Sequence, residues 1–358
     1  MYIFGHLFNI HNQDSMKRNF VCSLLLLAVC FTANLNASAY FDGVKNPFIG
    51  AWALDVQGGG VGWLEVHERQ GFLDASLLWI GGSVLPVSHV YLADENTLVV
   101  TRTREVTKET SDGGEERKHI HTNTLRIDMV DGLLVGTMSG PNWNGQGEFI
   151  SSFSGRRMPT MPSAPDLNSV SYGKPIQLFN GKDLTGWKLI NPKSPNGFKA
   201  MNGELVNDPV QPENGDHIYY GNLRTVDKFE DFNLKLEVNV PKGNNSGIYL
   251  RGMYEVQVFD SYGLDTDSHN MGAIYSRITP SVAAEKPGGS WQALDITLCK
   301  RHVTVVLNGK TIIDNQPVKG PTGGAISSDV NAAGPIYLQG DHGNVSYRNM
   351  VLTPITSS

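Results

Sequence analysis

Alternating apolar residues in the C-terminal half constrain this chain most strongly, because they require strands with one buried face. The stretch NSGIYLRGMYEVQVFDS at residues 245 to 261 contains two such runs, whose apolar positions include Ile248, Leu250, Val256 and Val258. A period of two residues is the pattern of a half-buried β-strand. Two adjacent runs of this kind predict a β-hairpin.

The hairpin keeps its apolar residues on one face only if its loop has an odd number of residues. We expect Leu250 to lie opposite Val256 and Arg251 opposite Glu255, with residues 252 to 254 as the loop. The other face then gathers polar and aromatic side chains: Tyr249, Arg251, Glu255 and Gln257. That face is either solvated or holds a ligand.

Length and composition predict two all-β domains. The chain has 358 residues, more than the roughly 100 to 200 of an ordinary domain. Charged residues make up 18%, and 39 glycines with many aromatic residues favour strands and turns over helices. The formal net charge of −6 argues against nucleic acid or an anionic membrane as a partner.

Residues 1 to 39 are predicted to be a secretory signal peptide, with Met16 as the inferred start. Lys17 and Arg18 precede an apolar run that is followed by small residues suited to a cleavage site. The run is shorter than the roughly 20 residues of a membrane span, so we expect none. The mature chain would keep Cys299 as its one cysteine, and we expect a periplasmic, secreted or cell-surface location in a bacterium.

The remaining chain divides into two strand-rich parts. Residues 40 to 157 predict a small antiparallel β-barrel or meander, and their opening NPFIGAWALDV resembles the Gly-x-Trp start of lipocalin-like barrels. The proline-rich segment at residues 158 to 173 is predicted to be a linker. Residues 174 to 358 contain seven or more strands, which predict a two-sheet sandwich or jelly roll.

Strands of the second part leave polar and aromatic residues opposite the predicted core side, among them Glu237, Trp291, Tyr337 and Gln339. One interpretation is the solvated outer surface of a sandwich. The other is a sugar-binding face, because rings stack on sugars and amides and carboxylates hydrogen-bond to hydroxyl groups. On the second interpretation we expect these side chains to share one curved groove.

Two histidines in turn-rich loops, His269 and His342, are candidates for a base or a metal ligand. Asp260, Asp265 and Asp267 lie near His269, but their spacing is not that of an EF-hand loop. Exposed loop residues are the alternative interpretation. The sequence has no Gly-x-Ser-x-Gly, His-Glu-x-x-His or Cys-x-x-Cys motif, so serine hydrolase, zincin and redox functions lack support.

Several motifs follow one another in the second part: LFNGKDLTGWK at 178, FEDFNLKLEV at 229, the hairpin at 245, VVLNGK at 305 and LQGDHGNVSYRNM at 338. With them, residues 174 to 355 resemble the 3-keto-disaccharide hydrolase domain family, which has a concanavalin-like jelly-roll fold. The N-terminal part is similar to a barrel that accompanies this domain in some bacterial secreted proteins. The resemblance implies a substrate that is a glycoside or oligosaccharide oxidised to a ketone at C3 of the sugar.

The implied chemistry is a β-elimination. A ketone at C3 acidifies the proton on C2, so a base can remove it, and the enolate can expel the substituent on C1. Water added to the resulting enone makes the net reaction a hydrolysis. Such an enzyme needs a base within reach of C2 and positive or hydrogen-bond-donating groups where the enolate oxygen develops charge.

The family resemblance implies which residues supply these groups. His269 or Glu255 is expected to be the base, and Arg251 or a divalent metal ion to stabilise the enolate. The resemblance also implies substrate-binding roles for four residues at its motif positions: Gln257, Tyr275, Gln339 and His342. Trp291 and Glu237, from the polar faces of the strands, complete the expected substrate-binding residues.

Two alternative functions remain open. A jelly roll can bind glycans without cleaving them, so the chain could be a non-catalytic carbohydrate-binding protein. It could also be an ordinary glycoside hydrolase with paired acids such as Glu237 and Glu255, which would need to lie about 5 to 9 Å apart.

Overall fold

A computed structural model describes residues 46–109, 113–114, 116–213 and 216–357. The predicted signal peptide lies outside these residues. Every regular element in the described part is a β-strand, which confirms the all-β class. These residues contain no helix long and apolar enough to cross a membrane. The chain divides into units Met1–Pro47 and Phe48–Ser358, and the strands of the described residues belong to the second unit.

The first nine strands form one antiparallel sheet in the order β4-β3-β2-β1-β9-β8-β7-β6-β5. Their bounds are β1 Gly50–Val56, β2 Gly60–Arg69, β3 Phe72–Trp79, β4 Gly81–Pro86, β5 His89–Asp94, β6 Thr97–Glu109, β7 Glu116–Val130, β8 Leu133–Pro141 and β9 Glu148–Arg157. Among the described residues no ladder joins β4 to β5, so these two are the edge strands of a meander.

Alternation builds the apolar inner face of this sheet. Leu54, Leu64 and Leu77 are fully buried on three neighbouring strands, and the ladder pairs Leu64 with Leu77 and with Trp52. Trp52 is 1% exposed, donates its indole N–H to the Phe48 carbonyl at 2.8 Å and lies under the Arg157 guanidinium. The tryptophan of the Gly-x-Trp motif is therefore part of the core, while the lipocalin-like resemblance remains a prediction.

The other strands form two further sheets. Their bounds are β10 Ser171–Tyr172, β11 Ile176–Gln177, β12 Trp187–Leu189, β13 Phe198–Met201, β14 Glu204–Asn207, β15 Leu223–Thr225, β16 Phe232–Asn239, β17 Asn245–Leu250, β18 Tyr254–Phe259, β19 Trp291–Cys299, β20 His302–Leu307, β21 Lys310–Pro317, β22 Tyr337–Leu338 and β23 Val345–Ser357. The larger sheet has the order β13-β14-β23-β16-β19-β20-β21, with β10 and β11 also paired to β23. The smaller has the order β12-β15-β22-β17-β18.

The larger and smaller sheets share one apolar core, as in a jelly-roll sandwich. Leu234 and Leu236 of β16 belong to the same buried cluster as Ile248 and Leu250 of β17. Because side chains alternate across a strand, residues between these core positions lie on the outer face of each sheet. The two outer faces are thus on opposite sides of the sandwich.

This arrangement corrects the expectation of one shared polar groove. Glu237 and Trp291 lie on the outer face of the larger sheet, whereas Glu255 and Gln257 lie on the outer face of the smaller sheet. Alternation predicts the face of each residue correctly but cannot tell which strands belong to the same sheet. Of the two outer faces, only that of the smaller sheet therefore contributes strand residues to the candidate groove.

The hairpin also has a different register from the expected one. Leu250 pairs with Tyr254 and Tyr249 with Glu255, so the loop is residues 251 to 253. The loop is odd, as expected, and the shift of two residues in register leaves the side chains of the paired residues on their predicted faces. The expected pairs of Leu250 with Val256 and Arg251 with Glu255 are wrong.

Arg251 lies in the loop rather than on the strand. It has a positive φ of 55°, and Gly252 follows at 67°, so the chain turns away from the sheet at this point. The side chain is 2% exposed, and its guanidinium donates to the carbonyls of Val330 (2.8 Å) and Ala332. The structure thus gives Arg251 a role in holding residues 330 to 332.

The segment predicted as a linker runs along the sandwich. Arg301 donates to the carbonyl of Pro159 at 3.1 Å, and Asn315 donates to that of Pro165 at 2.9 Å. Met158 is buried in the sandwich core cluster. The first sheet is consequently joined to the sandwich by packing and hydrogen bonds as well as by the chain.

We expect Arg251→Gln to lower the free energy of unfolding by about 2 to 3 kcal/mol, because it removes charge-assisted hydrogen bonds and leaves buried carbonyls unpaired. Denaturant unfolding followed by fluorescence would measure this. Lys235→Gln is the control, since the exposed Lys235–Asp295 pair should contribute at most about 1 kcal/mol. Equal stability of both variants would contradict the role of Arg251.

Candidate functional site

A cavity of about 300 Å³ lies on the outer face of the smaller sheet. Its lining residues come from the hairpin, from three loops and from the edge of the first sheet: Gly81, Gly82, Asn245, Tyr249, Glu255, Gln257, Tyr275, Gly323, Gly324, Gln339 and His342. Most of the polar groups are carboxyl, amide, phenol or imidazole groups. The cavity is thus equipped to hydrogen-bond to a hydroxyl-rich ligand.

Strand register brings the polar side chains together. Tyr249 of β17 pairs with Glu255 on one side and with Tyr337 of β22 on the other. One row along, Gly247 pairs with Gln257 and its carbonyl accepts the backbone N–H of Gln339. Residues paired across neighbouring strands share a face, so both rows point away from the sandwich core.

The free edge of β18 is covered by a short segment that carries Tyr275. The backbone N–H of Tyr275 donates to the Glu255 carbonyl at 3.0 Å, and that of Gln257 donates to the Ala273 carbonyl at 2.9 Å. These bonds continue the sheet and place the Tyr275 ring at the cavity wall. They also leave no exposed edge at this point.

Glu255 is a carboxyl group buried under the cavity. It is 3% exposed, and this burial raises its pKa to about 8 despite the opposing hydrogen bond to Tyr249. The carboxyl group is therefore mostly protonated at neutral pH, and a modest change in surroundings would ionise it. A carboxyl group tuned in this way is suited to proton transfer near neutral pH.

The Tyr249 phenol has two acceptors for one proton. Its oxygen lies 2.8 Å from Glu255 Oε2 and 2.6 Å from the Gly323 carbonyl oxygen. If Tyr249 donates to Gly323, a protonated Glu255 can donate to the phenol oxygen, so all three groups are satisfied. This arrangement favours the neutral carboxyl group, in agreement with its raised pKa.

A second tyrosine fixes the position of the first. The rings of Tyr249 and Tyr337 stack with centroids 3.8 Å apart and planes at 13°. Tyr337 donates its hydroxyl to the Gly324 carbonyl at 2.6 Å, and burial raises the pKa of both phenols well above the usual value. Both tyrosines thus stay neutral and hold the 323–324 turn against the sheet.

Gly247 provides the space for the Glu255 carboxyl group. A Cβ atom at residue 247 would overlap Glu255 Oε1. Gly247 does not have a positive φ, so the requirement for glycine comes from this contact rather than from the backbone conformation.

Three amide side chains in the cavity have unused hydrogen-bonding capacity. Asn245, Gln257 and Gln339 each have a buried side-chain oxygen without a hydrogen-bond partner. Gln257 is itself 3% exposed. Since buried polar atoms are normally paired, these three oxygens are available to accept hydrogen bonds from donors of a ligand.

The edge of the first sheet forms one wall of the cavity. The Gly324 backbone N–H donates to the Ile80 carbonyl at 2.9 Å, and a Cβ atom at Gly323 would overlap Gly82. Glycine contacts of this kind leave no polar or apolar pattern in the sequence. Sequence reasoning therefore missed the wall, and it also missed Asn245.

His269 lies beside the cavity and does not line it. Its Nδ1 donates to Asp267 at 2.6 Å, its Nε2 lies 2.8 Å from the Ser83 hydroxyl, and its ring packs edge-on against Tyr275. The hydrogen bond from His269 lowers the pKa of Asp267. Both ring nitrogens are thus engaged, and the imidazole links β4 to the Tyr275 segment.

Some of the other residues that were expected in the site line the cavity, and some lie in other parts of the fold. Glu255, Gln257, Tyr275, Gln339 and His342 line the cavity, and the exposed His342 places an imidazole at its mouth. Arg251, Glu237 and Trp291 do not.

Glu237 and Trp291 lie together on the opposite side of the sandwich. Arg348 pairs with Glu237 at 2.9 Å and covers the Trp291 ring at 3.9 Å from its centroid. The hydrogen bond from Arg348 lowers the pKa of Glu237. Glu237 and Glu255 consequently cannot flank one glycosidic bond, which removes the paired-acid geometry expected for an ordinary glycosidase.

Within the described ranges, no three His, Cys, Asp or Glu side chains come together as a metal site. The cavity contributes Glu255 and His342 from these residue types.

Comparison with known proteins identifies the second part of the chain. A model of the 3-keto-alpha-glucoside-1,2-lyase-like domain matches residues 174–353. Three solved structures from Parabacteroides distasonis ATCC 8503, each described as a candidate glycosyl hydrolase, are 29%, 21% and 24% identical. They cover 55%, 51% and 50% of this chain and 92%, 94% and 98% of their own, with TM-scores of 0.42, 0.42 and 0.37. No curated protein matches the chain.

The raised pKa of Glu255 predicts a pH-dependent stability. Between its ordinary pKa of 4.5 and about 8, the folded state keeps a proton that the unfolded state releases. The wild-type protein should therefore lose up to about 1.4 kcal/mol per pH unit from this group as pH rises through that range. Denaturant unfolding from pH 4 to 9 should show that Glu255→Gln lacks this component.

Glu237→Gln is the matched control, because the pKa of Glu237 is lowered instead. The contribution of the Glu237 carboxylate to the free energy of unfolding is present above the ordinary pKa and is lost only on acidification. Glu255→Gln and wild type with the same slope between pH 5 and 8 would contradict the burial argument.

Gly247→Ala should destabilise the protein by about 1 to 3 kcal/mol, because the added methyl group overlaps the Glu255 carboxyl group. In a Glu255→Ala background the overlap is gone, so the same substitution should cost much less. Unfolding of the two single variants and the double variant gives this difference. Equal costs in both backgrounds would refute the contact.

Proposed function

The chain belongs to the 3-keto-alpha-glucoside-1,2-lyase-like family of carbohydrate-active proteins, and on that premise we propose that it cleaves glycosides whose sugar carries a ketone at C3. The observation that carries the proposal is Glu255, a buried carboxyl group with a pKa of about 8 beneath a cavity lined by amides. The reaction needs one group that accepts a proton near neutral pH, and Glu255 has that property.

The reaction begins when the ionised Glu255 removes the C2 proton. The C–H electron pair forms the C2–C3 double bond of an enolate, and the carbonyl π electrons move to the oxygen on C3. Before this transfer the Tyr249 phenol donates a hydrogen bond to the Glu255 carboxylate and keeps it oriented. About a tenth of Glu255 would be ionised at pH 7, and its high pKa makes that fraction a stronger base than an ordinary carboxylate.

Side-chain amides and phenols are the proposed donors to the enolate oxygen. Gln257, Gln339 and Tyr275 line the cavity beside Glu255, and each carries an N–H or O–H group. Donors held in place around a developing charge lower the barrier without reorganisation. They take the role for which sequence reasoning proposed Arg251.

The enolate then collapses and expels the substituent on C1. The C3 carbonyl re-forms, a C1–C2 double bond forms, and the C1–O bond breaks with its electron pair on the leaving oxygen. That oxygen takes a proton, which Glu255 can return. Water then adds its hydroxyl to C1 and a proton to C2, so the sum is hydrolysis to a free 3-keto sugar.

His342 is the proposed imidazole for proton exchange at the mouth of the cavity. It lines the cavity and is exposed, whereas His269 is engaged at both ring nitrogens. His269 is proposed to position Tyr275 by ring packing.

The predicted signal peptide supports a place of action outside the cytoplasm.

The alternative candidate is a non-catalytic sugar-binding protein, which the unpaired amides of Asn245, Gln257 and Gln339 would also serve. Product formation separates the two. A binding protein would bind a 3-keto-glucoside and leave it unchanged. The ionisation of Glu255 would then have no effect on product formation.

Glu255→Gln should reduce kcat/KM on a 3-keto-glucoside by at least about 100-fold, the lower range of general base catalysis. Glu237→Gln should retain wild-type activity, because that carboxylate lies on the opposite side of the sandwich. Release of the aglycone, followed by chromatography, is the measurement, with the unoxidised glucoside as the substrate control.

With Glu255 as the base, kcat/KM should also rise with pH and level off above about 8. Full activity of Glu255→Gln, or equal turnover of the unoxidised glucoside, would reject the proposal.

A further inference from the structure

A second cavity, of about 390 Å³, opens on the inner face of the first sheet and is rich in basic and aromatic groups. Its lining residues are Trp79, Gly81, Arg102, Thr103, Arg104, His121, Asn123, Pro141, Asn142, Trp143 and Phe149. Gly81 also lines the first cavity. The two cavities are therefore neighbours.

The cavity begins where the apolar inner face of the sheet ends. On β6, Leu98 and Val100 are fully buried in the core, and the next residues on the same face are Arg102 and Arg104. Alternate residues of a strand share a face, so these guanidiniums occupy positions where a filled core would carry apolar side chains.

The neighbouring strand shows the same change. On β7, Leu125 belongs to the core, while Asn123 and His121 continue the inner face. The ladder pairs Arg102 with Asn123 and Arg104 with His121. Two adjacent strands thus switch together from apolar to basic and polar residues.

The two guanidiniums have no acidic partner among the residues that the structure describes, although the chain as a whole has a net charge of −6. Partial burial lowers the pKa of Arg102, and the positive charge of Arg104 lowers it further. Close, partly desolvated like charges are unfavourable unless an anion neutralises them.

Aromatic rings stand beside these charges. Trp143 is 64% exposed, and the Arg104 guanidinium lies 5.6 Å from its ring centroid. The His121 ring meets the Trp143 ring edge-on at 5.5 Å. An exposed tryptophan beside polar groups is suited to stack on the apolar face of a sugar ring.

We propose that this cavity binds an acidic saccharide, with Arg102 and Arg104 on its carboxylate and Trp143 against its ring. Guanidinium groups bind carboxylates through paired, charge-assisted hydrogen bonds, which a neutral sugar cannot form. Because Gly81 lines both cavities, we assign this cavity to the substrate's leaving portion. That last assignment rests on the proposed function, whereas the binding itself does not.

Titration of the full-length protein with D-glucuronate, D-glucose and inorganic sulfate tests the proposal by calorimetry or ligand-observed NMR. Glucuronate should bind more tightly than glucose and sulfate, and the affinity should fall with added salt. Arg102→Gln and Arg104→Gln should each weaken glucuronate binding about 10-fold, because each substitution removes a charge-assisted hydrogen bond to the carboxylate. Trp143→Ala should weaken glucuronate binding but leave that of sulfate unchanged.

Arg126→Gln is the matched control, because it removes the same charge from the opposite face of β7 and should not alter binding. No measurable glucuronate binding, equal affinity for sulfate and glucuronate, or unchanged binding in both arginine variants would overturn the proposal. Glu255→Gln should bind glucuronate like wild type. If the wild-type protein binds glucuronate but does not turn over 3-keto-glucosides, the proposed reaction is rejected and the acidic-saccharide site is left intact.

Discussion

The contact between Tyr249 and Glu255 is the interaction on which the candidate site depends. It joins two neighbouring strands on the outer face of the smaller sheet, where a carboxyl group would ordinarily point to water. The 323–324 turn, the Tyr275 segment and β4 cover this face, so the carboxyl group is desolvated and its pKa rises. The same enclosure forms the cavity, and the fold therefore couples the chemistry of Glu255 to the shape of the site.

The period of two residues allows the face of each strand residue to be predicted, and it correctly separates Leu250 and Val256 from Tyr249 and Glu255. It does not determine which strands are neighbours. That is why Glu237 and Trp291, which alternate in the same way, lie on the far side of the sandwich. The sheet to which a strand belongs depends on contacts between residues that are distant in the sequence, and the residues of a single strand do not reveal these contacts.

Other differences have local physical causes. Arg251 continues the alternation of β17, but the left-handed conformation of residues 251 and 252 ends the strand one residue earlier and sends the guanidinium to two backbone carbonyls. His269 has the residue type of a base, yet partners on both sides occupy its nitrogens. In both cases the residue type indicates what the side chain can do, and the structure decides whether it is available.

The glycines at the wall between the sheets have a consequence for how the site can change. Gly323 and Gly324 present main chain alone to the cavity, and a Cβ atom at either would overlap the Gly82 backbone or the Tyr249 hydroxyl group, so neither can take a side chain without moving its neighbours. Variation of cavity size among related chains would then arise through the length of the connections around residues 80 and 323. Comparisons that look only for exchanged functional groups would overlook it.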